Sequence, residues 1–511
     1  MNYLKKLLGY IVTMAMVLTL TQVGIGAVHA EGTTSGGTTY KLTLNGTTTG
    51  HTYEAYQIFK GDLSTNTDGK KVLSNVKWGE GVTYTQGKGE NKSAADVAKD
   101  LGDGIMTIDT LIDRLTLTKP AATKDSLKES TVIDGLTAGY YLVKDKDGSL
   151  PSTSSDAYTK FIVKVVGDSE ANVKSDVPTV EKKVQDKNDT DGTTSKWQDS
   201  ADYDIGDDIQ YQITGTMPNR INDYTTYKYI FTDTMSKGLT YTKKNATIKI
   251  GETDVTGSFK EEVTTQKNGP TVVTWTCDNL KNAGVNLTPT TTVVVTYKAT
   301  LNENAVIGSE GNPNTVNLTY SNNPNKGGDG DTGKTPDDTN IVFTYKTVVN
   351  KVDKDNHPLA GAGFTLQKEY KKEDGTTEYR DVETIEAKDE KSTFEFKGLD
   401  DGNYKLIEST TPAGYNTITP VEFTISATHE EESADPKLTE LTVSVTKGSD
   451  EATFTADKAA GSLTTNVVNK KGSTLPETGG MGTTLLYAVG GVLVALAAAY
   501  IIISKKHEKA E

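Results

Sequence analysis

From Tyr40-Lys41-Leu42-Thr43-Leu44 onward, apolar and polar residues alternate in short runs, and helical periodicity is scarce. A period of two puts successive side chains on opposite faces of a strand. A chain patterned this way must therefore pair its strands and bury one face of each sheet. Thr, Val and Tyr recur throughout, and these residues suit a pleated, half-buried surface. One stretch breaks the pattern. Ala94 to Asp113 carries Val97, Leu101, Met106 and Leu111 on a rough apolar stripe, which predicts a small helical insertion. Short strands at regular spacing with turn residues between them make the expected fold class all-β, a series of sandwiches.

The two ends stand outside that pattern. Lys5 and Lys6 precede an apolar stretch from Leu7 to Leu20, and Val28-His29-Ala30 offers small residues for cleavage, so residues 1–30 read as a signal peptide. At the other end, Leu475-Pro476-Glu477-Thr478-Gly479 is followed by an uncharged apolar run from about Leu485 to Ile503 and then by Lys505-Lys506. A run of ~20 apolar residues is long enough to span a bilayer, and the lysines lie where the cytoplasm is expected. Between the ends, at ~150 residues per domain, three domains are expected: 31–175, 176–343 and 344–472, with 473–511 as the tail. The formal net charge of −15 argues against a nucleic-acid partner. The single cysteine, Cys277, cannot make an internal disulfide and sits in a strand-like run, where it reads as a small buried hydrophobe.

The order of motif, span and basic tail resembles the LPXTG cell-wall sorting signal of Gram-positive surface proteins, matched at Leu475, Pro476, Thr478 and Gly479, with Glu477 as the variable residue. The resemblance implies that a sortase cuts between Thr478 and Gly479 and hands the Thr carbonyl to an amine. It also implies a secreted, wall-anchored protein with transient membrane retention.

In the third domain, Val349-Asn350-Lys351-Val352-Asp353 leads through Pro358-Leu359-Ala360-Gly361-Ala362 to Phe364. Later come Gly402-Asn403-Tyr404-Lys405-Leu406-Ile407-Glu408 and Thr411-Pro412-Ala413-Gly414-Tyr415. These resemble the B-type repeats of Gram-positive collagen adhesins and pilins, which implies tandem immunoglobulin-like β-sandwiches of the collagen-adhesin A and B types. In that family a first-strand Lys bonds a last-strand Asn through a self-formed isopeptide assisted by a Glu. The matching residues are Lys351, Asn469 and Glu408. Alternation places Tyr404, Leu406 and Glu408 on one face, so the carboxyl is expected in the core. Burial would keep the amine neutral and the acid protonated. The second domain resembles the middle domain of sortase-assembled pilins, where an Asp often takes the acid role, and the matching residues are Lys182, Asp233 and Asn314. Asn317 is the alternative to Asn314, although alternation turns it to the opposite face. In the first domain, Lys144 stands where the third domain has its acid, four residues after a Tyr, so no isopeptide is expected there.

Asp186 to Gly192 is acidic like a calcium loop but lacks Gly where such a loop needs it, and it reads as a solvated turn, as does the acidic segment around Asp329 and Asp331. Asn322 to Asp338 reads as a linker or long loop. No metal, cofactor or enzymatic activity is expected beyond residues that react once with themselves. Taken together, the chain resembles a pilus backbone subunit, with a monomeric wall-anchored adhesin as the alternative. The partners implied are sortase, identical subunits and peptidoglycan, with minor pilins and host surface ligands beyond them. In the pilin family the intersubunit amine is a Lys at the junction of the first two domains. Lys174 stands in that place and would join Thr478 of another subunit, with Lys183 as the fallback.

Overall fold

The computed structural model describes residues 38–65, 69–85, 92–173, 176–328, 330–388, 390–448, 452–472, 487 and 489–499. The signal peptide, Lys174 and the motif Leu475 to Gly479 lie outside the described residues. So does part of the apolar run near the C-terminus, and among the described residues no helix is long and apolar enough to cross a membrane.

The N-terminal part pairs Tyr40–Thr47 antiparallel with Glu129–Leu136 and parallel with Ser169–Asn172. A second sheet runs Lys71–Trp78, Thr52–Thr65, Gly139–Asp145, Lys160–Val165. The stripe over Ala94 to Asp113 folds as two helices, Ala94–Gly102 and Ile108–Asp113. The break falls at Asp103-Gly104, where Gly104 takes a φ of 71°, a left-handed turn that ends a helix at little strain when the residue is glycine. Ser93 and Thr107 cap the two helices by accepting from the Asp96 and Thr110 amides.

The middle part is a two-sheet sandwich. One sheet orders Val180–Val184, Asp208–Thr216, Thr292–Leu301 and Thr247–Ile250. The facing sheet runs Ser200–Asp202, Asp338–Phe343, Asn312–Ser321, Tyr229–Met235, Thr271–Cys277, Lys260–Thr265. Their inner faces bury Tyr211, Phe231, Trp275, Tyr297 and Leu318 among others. Cys277 is buried there, and burial pushes its thiol pKa up. The segment 322–338 is not a linker. Thr332–Lys334 pairs with Asn312–Ser321, and the segment clamps the N-terminal part. Asn322 accepts from the Tyr158 amide at 2.8 Å, and the Lys334 amide donates to Ser154 at 2.9 Å. Gly/Asp/Asn content is the mark of a loop in sequence, but here the Asn322 and Asn325 side-chain amides also donate to the Asp156 and Thr159 carbonyls, at 3.1 and 3.3 Å.

In the C-terminal part, the first and last strands, Tyr345–Asp353 and Ser462–Asn469, lie side by side and parallel. The opposite sheet orders Thr377–Ile385, Gly363–Lys371, Gly402–Thr410, Val421–His429 and Leu438–Lys447.

The acidic turn after Val184 is only partly solvated: Lys187, Asp191 and Gly192 are exposed, but Asp189 is buried. It docks on the C-terminal part, where Asn188 donates to Asp401 at 2.6 Å and the Lys371 amide donates to the Asp189 carbonyl at 2.9 Å. At its centre Lys368 is fully buried between Asp204 at 2.6 Å, Asp400 at 3.0 Å and Asp189 at 3.5 Å. Burial raises the pKa of Asp204 and Asp400, and Lys368 only partly opposes this. Lys368→Met should leave these carboxylates uncompensated and destabilise the contact by about 3 kcal/mol or more. A carboxylate whose folded pKa lies above its unfolded value stabilises at low pH and loses that contribution as pH rises. Thermal melts from about pH 8 down to about pH 4 should therefore show the deficit shrinking on acidification. A deficit independent of pH would count against this account of the cluster.

Candidate functional site

Two groups of buried polar residues stand out, one in each of the last two sandwiches. In the middle one, Val180, Lys182 and Val184 face the core, and Lys182 is fully buried. Tyr229, Phe231 and Asp233 face inward from the opposite sheet, as do Asn314, Val316 and Leu318 beside them, with Asp233 paired to Val316 across the two strands. The Lys182 Nζ lies 2.7 Å from Asp233 Oδ1 and donates to the Tyr297 hydroxyl at 2.6 Å. Asn314 Nδ2 donates to the same hydroxyl at 2.8 Å. Burial lowers the Lys182 pKa, and Asp233 offsets only part of that. Asn317 points away from this group and donates to Asp337.

In the C-terminal group, Lys351 pairs with Val467 across the parallel ladder, and Asp353 with Asn469. Lys351 Nζ is buried and donates to the Val467 carbonyl at 2.8 Å. Asn469 Nδ2 donates to Glu408 Oε1 at 2.9 Å, while Glu408 Oε2 accepts from the Ile418 amide at 3.1 Å. Glu408 comes from the opposite sheet, so the group spans the core. In both groups the Asn amide oxygen, Asn314 Oδ1 or Asn469 Oδ1, is buried without a hydrogen-bond partner. Buried orphan acceptors are rare and call for a reason.

The N-terminal part departs from the sequence match in its phase. The inward residues of Gly139–Asp145 are Tyr141, Val143 and Asp145, while Lys144 is partly exposed and pairs with Asp147. The buried acid is thus Asp145, one residue beyond the matched position. It contacts His51 Nδ1 at 2.8 Å and accepts from the Thr159 amide at 2.6 Å. Burial alone would lower the His51 pKa, but Asp145 and Asp156 hold it up at about 9. Lys183, the fallback amine, points away from Lys182 and is held by Asp199 at 2.8 Å and Glu432 at 3.3 Å. Burial would lower its pKa, but these carboxylates and Glu181 raise it above 10.5. Sequence reading did not single out Tyr297, because an inward tyrosine on a core strand looks like any other. Only its position between three polar groups distinguishes it.

Tandem β-sandwiches with such groups, followed by a wall-sorting motif, define a surface-anchored structural protein. Three family models match the chain: "Gram-positive pilin backbone subunit 2, Cna-B-like domain" over residues 205–324, "Prealbumin-like fold domain" over 346–440, and "LPXTG cell wall anchor motif" over 467–510. The trypsin-resistant surface T6 protein of Streptococcus pyogenes serotype M6 is 25% identical over 480 residues, covering 87% of this chain and 80% of that one. The T6 backbone pilin structure from the same serotype superposes with a TM-score of 0.52 at 18% identity, covering 86% of this chain and all of that one. The major pilin SpaD of Corynebacterium diphtheriae gives a TM-score of 0.46 at 18% identity, over 85% and 98% of the two chains. The chain is a sortase-assembled Gram-positive backbone pilin, anchored at the cell surface through its LPXTG motif.

Proposed function

We propose that this pilin builds its shaft from three consecutive domains, 31–175, 176–343 and 344–472, and that the last two each lock themselves with an internal isopeptide. The bonds would be Lys182–Asn314, assisted by Asp233, and Lys351–Asn469, assisted by Glu408. In each, the neutral amine attacks the Asn Cγ, a C–N bond forms, and Nδ2 leaves as ammonia, with the acid moving the protons. The observation that carries this reading is the repeated burial of a Lys, a carboxyl and an Asn with an orphaned amide oxygen. The relative's structure is described as modular and three-domain, which supports the same division. The middle bond would tie one sheet to the other, and the C-terminal bond would tie the first strand to the last. A chain with one cysteine cannot cross-link its β domains by disulfides, and these bonds take that role.

Polymerisation would join Thr478 of one subunit to Lys174 of the next, and the last Thr478 to peptidoglycan. Minor pilins and host surface ligands are further partners of this reading. Cell-wall extracts run on a denaturing gel should show a ladder of multimers, and mass spectrometry should find Thr478 amide-linked to a foreign amine with nothing from Gly479 onward. A single monomer band would instead support a monomeric wall-anchored adhesin. Recovery of wall-bound protein that retains Tyr487 would count against sorting.

A further inference from the structure

We propose that Tyr297 is a catalytic residue of the middle-domain bond-forming step, its hydroxyl relaying protons among Lys182, Asp233 and the leaving nitrogen of Asn314. This rests on the reading of Lys182, Asp233 and Asn314 as an isopeptide group. The hydroxyl has one proton and two lone pairs, and all three are in use. It donates to Asp233 Oδ2 at 2.5 Å and accepts from Lys182 Nζ at 2.6 Å and from Asn314 Nδ2 at 2.8 Å. It thus touches the nucleophile, the acid and the leaving group at once.

The two groups differ in one respect that explains why a hydroxyl is needed here. In the C-terminal group the acid is Glu408, which touches the Asn469 amide nitrogen directly at 2.9 Å. In the middle group the acid is Asp233, one methylene shorter. The atom on the Asn314 nitrogen is the Tyr297 oxygen, which stands between that nitrogen and Asp233 Oδ2. The ring is held in place for this. Tyr297 pairs with Tyr211 across the ladder and stacks on it with centroids 5.3 Å apart, and Trp275 lies 5.4 Å away on another side. Burial, followed by the Asp233 charge, raises the phenol pKa well above 10.0, so the hydroxyl starts the reaction protonated.

The relay balances. Lys182 gives one proton to the Tyr297 oxygen as that hydroxyl passes its own to Asp233 Oδ2, leaving a neutral amine and a neutral acid. The amine lone pair attacks Asn314 Cγ, and the carbonyl electrons move to Oδ1. Nδ2, no longer conjugated, regains its lone pair and takes the Tyr297 proton, which Asp233 Oδ2 replaces. The Oδ1 electrons then re-form the carbonyl as the Cγ–Nδ2 bond breaks and ammonia leaves with that bond's electron pair. The new amide nitrogen gives its surplus proton to Asp233 Oδ1, 2.7 Å from it in the starting arrangement.

Tyr297→Phe keeps the ring and removes only the hydroxyl. In the full chain, peptide mapping reads each bond separately. The Lys182–Asn314 linkage should form about 100-fold more slowly or not at all, so freshly made protein carries unlinked Lys182 and Asn314 peptides. The Lys351–Asn469 linkage should form as in the wild type. Adding Asp233→Glu to Tyr297→Phe supplies the missing methylene and should restore linkage. Wild-type linkage rates in Tyr297→Phe, or a double variant no better linked than the single one, would overturn the role of Tyr297. A wild-type chain without the Lys182–Asn314 link would instead overturn the isopeptide reading itself.

Discussion

Wild-type chain should weigh two ammonias less than its sequence, and Glu408→Ala and Asp233→Ala should each restore one of them. Each bond closes a loop on the order of 100 residues, and holding such a loop shut in the unfolded state is worth about 5 kcal/mol. For a domain of this size that corresponds to a fall of about 15 °C in midpoint when the bond is absent. The two variants should differ in a second way. Asp233→Ala removes the ion-pair partner of a fully buried lysine, so an uncompensated charge adds its own penalty of about 3–5 kcal/mol. Burial already holds the Lys182 pKa below 10.5, and without Asp233 it should fall further. The folded state then binds fewer protons than the unfolded one, so stability rises with pH until the unfolded lysine also deprotonates. Asp233→Ala should therefore recover part of its lost stability as the solution is made alkaline. Intact-mass measurement and thermal melts check both statements, and a chain of full unmodified mass would end the isopeptide reading.

Lys174→Ala should abolish the multimer ladder while leaving monomer folding, internal bonds and wall attachment intact. Polymer growth needs one free amine per subunit, so the expected effect is total rather than graded. A free lysine amine is mostly protonated at neutral pH, and the sortase site would have to remove the proton. The fallback is weak on physical grounds. Lys183 is tied to Asp199 and Glu432 with its ammonium form favoured, so it would have to break those contacts and lose a strongly held proton before attacking. Gels of wall extracts from Lys174→Ala and Lys183→Ala strains decide the matter. Ladders that persist in the first and vanish in the second would reverse the assignment.

The middle and C-terminal groups were legible because alternation is a local property. Once a strand has one inward apolar residue, every second position follows, and that logic placed Lys182, Asp233, Asn314 and Glu408 inside. At Lys144 a count of four residues from Tyr140 lands on an outward position, because the inward phase runs through Tyr141 and Val143 to Asp145. The segment 322–338 and the turn after Val184 depart from a plain linker and a solvated turn for another reason. Polar, Gly-rich composition signals a loop, but whether that loop meets water or a neighbouring domain depends on residues far away in the chain, such as Ser154 and Asp401.

By itself, the sequence determined the strand-rich class, the sorting motif and the inward placement of Lys182, Asp233, Asn314 and Glu408, since each depends on a short run of neighbours. The tertiary structure alone decided which polar groups meet. It set Lys368 among three carboxylates, bound Lys183 to Asp199, and put the Tyr297 hydroxyl between Asp233 and Asn314. Those meetings join strands from facing sheets and separate domains, and no period along the chain encodes the distance between two sheets.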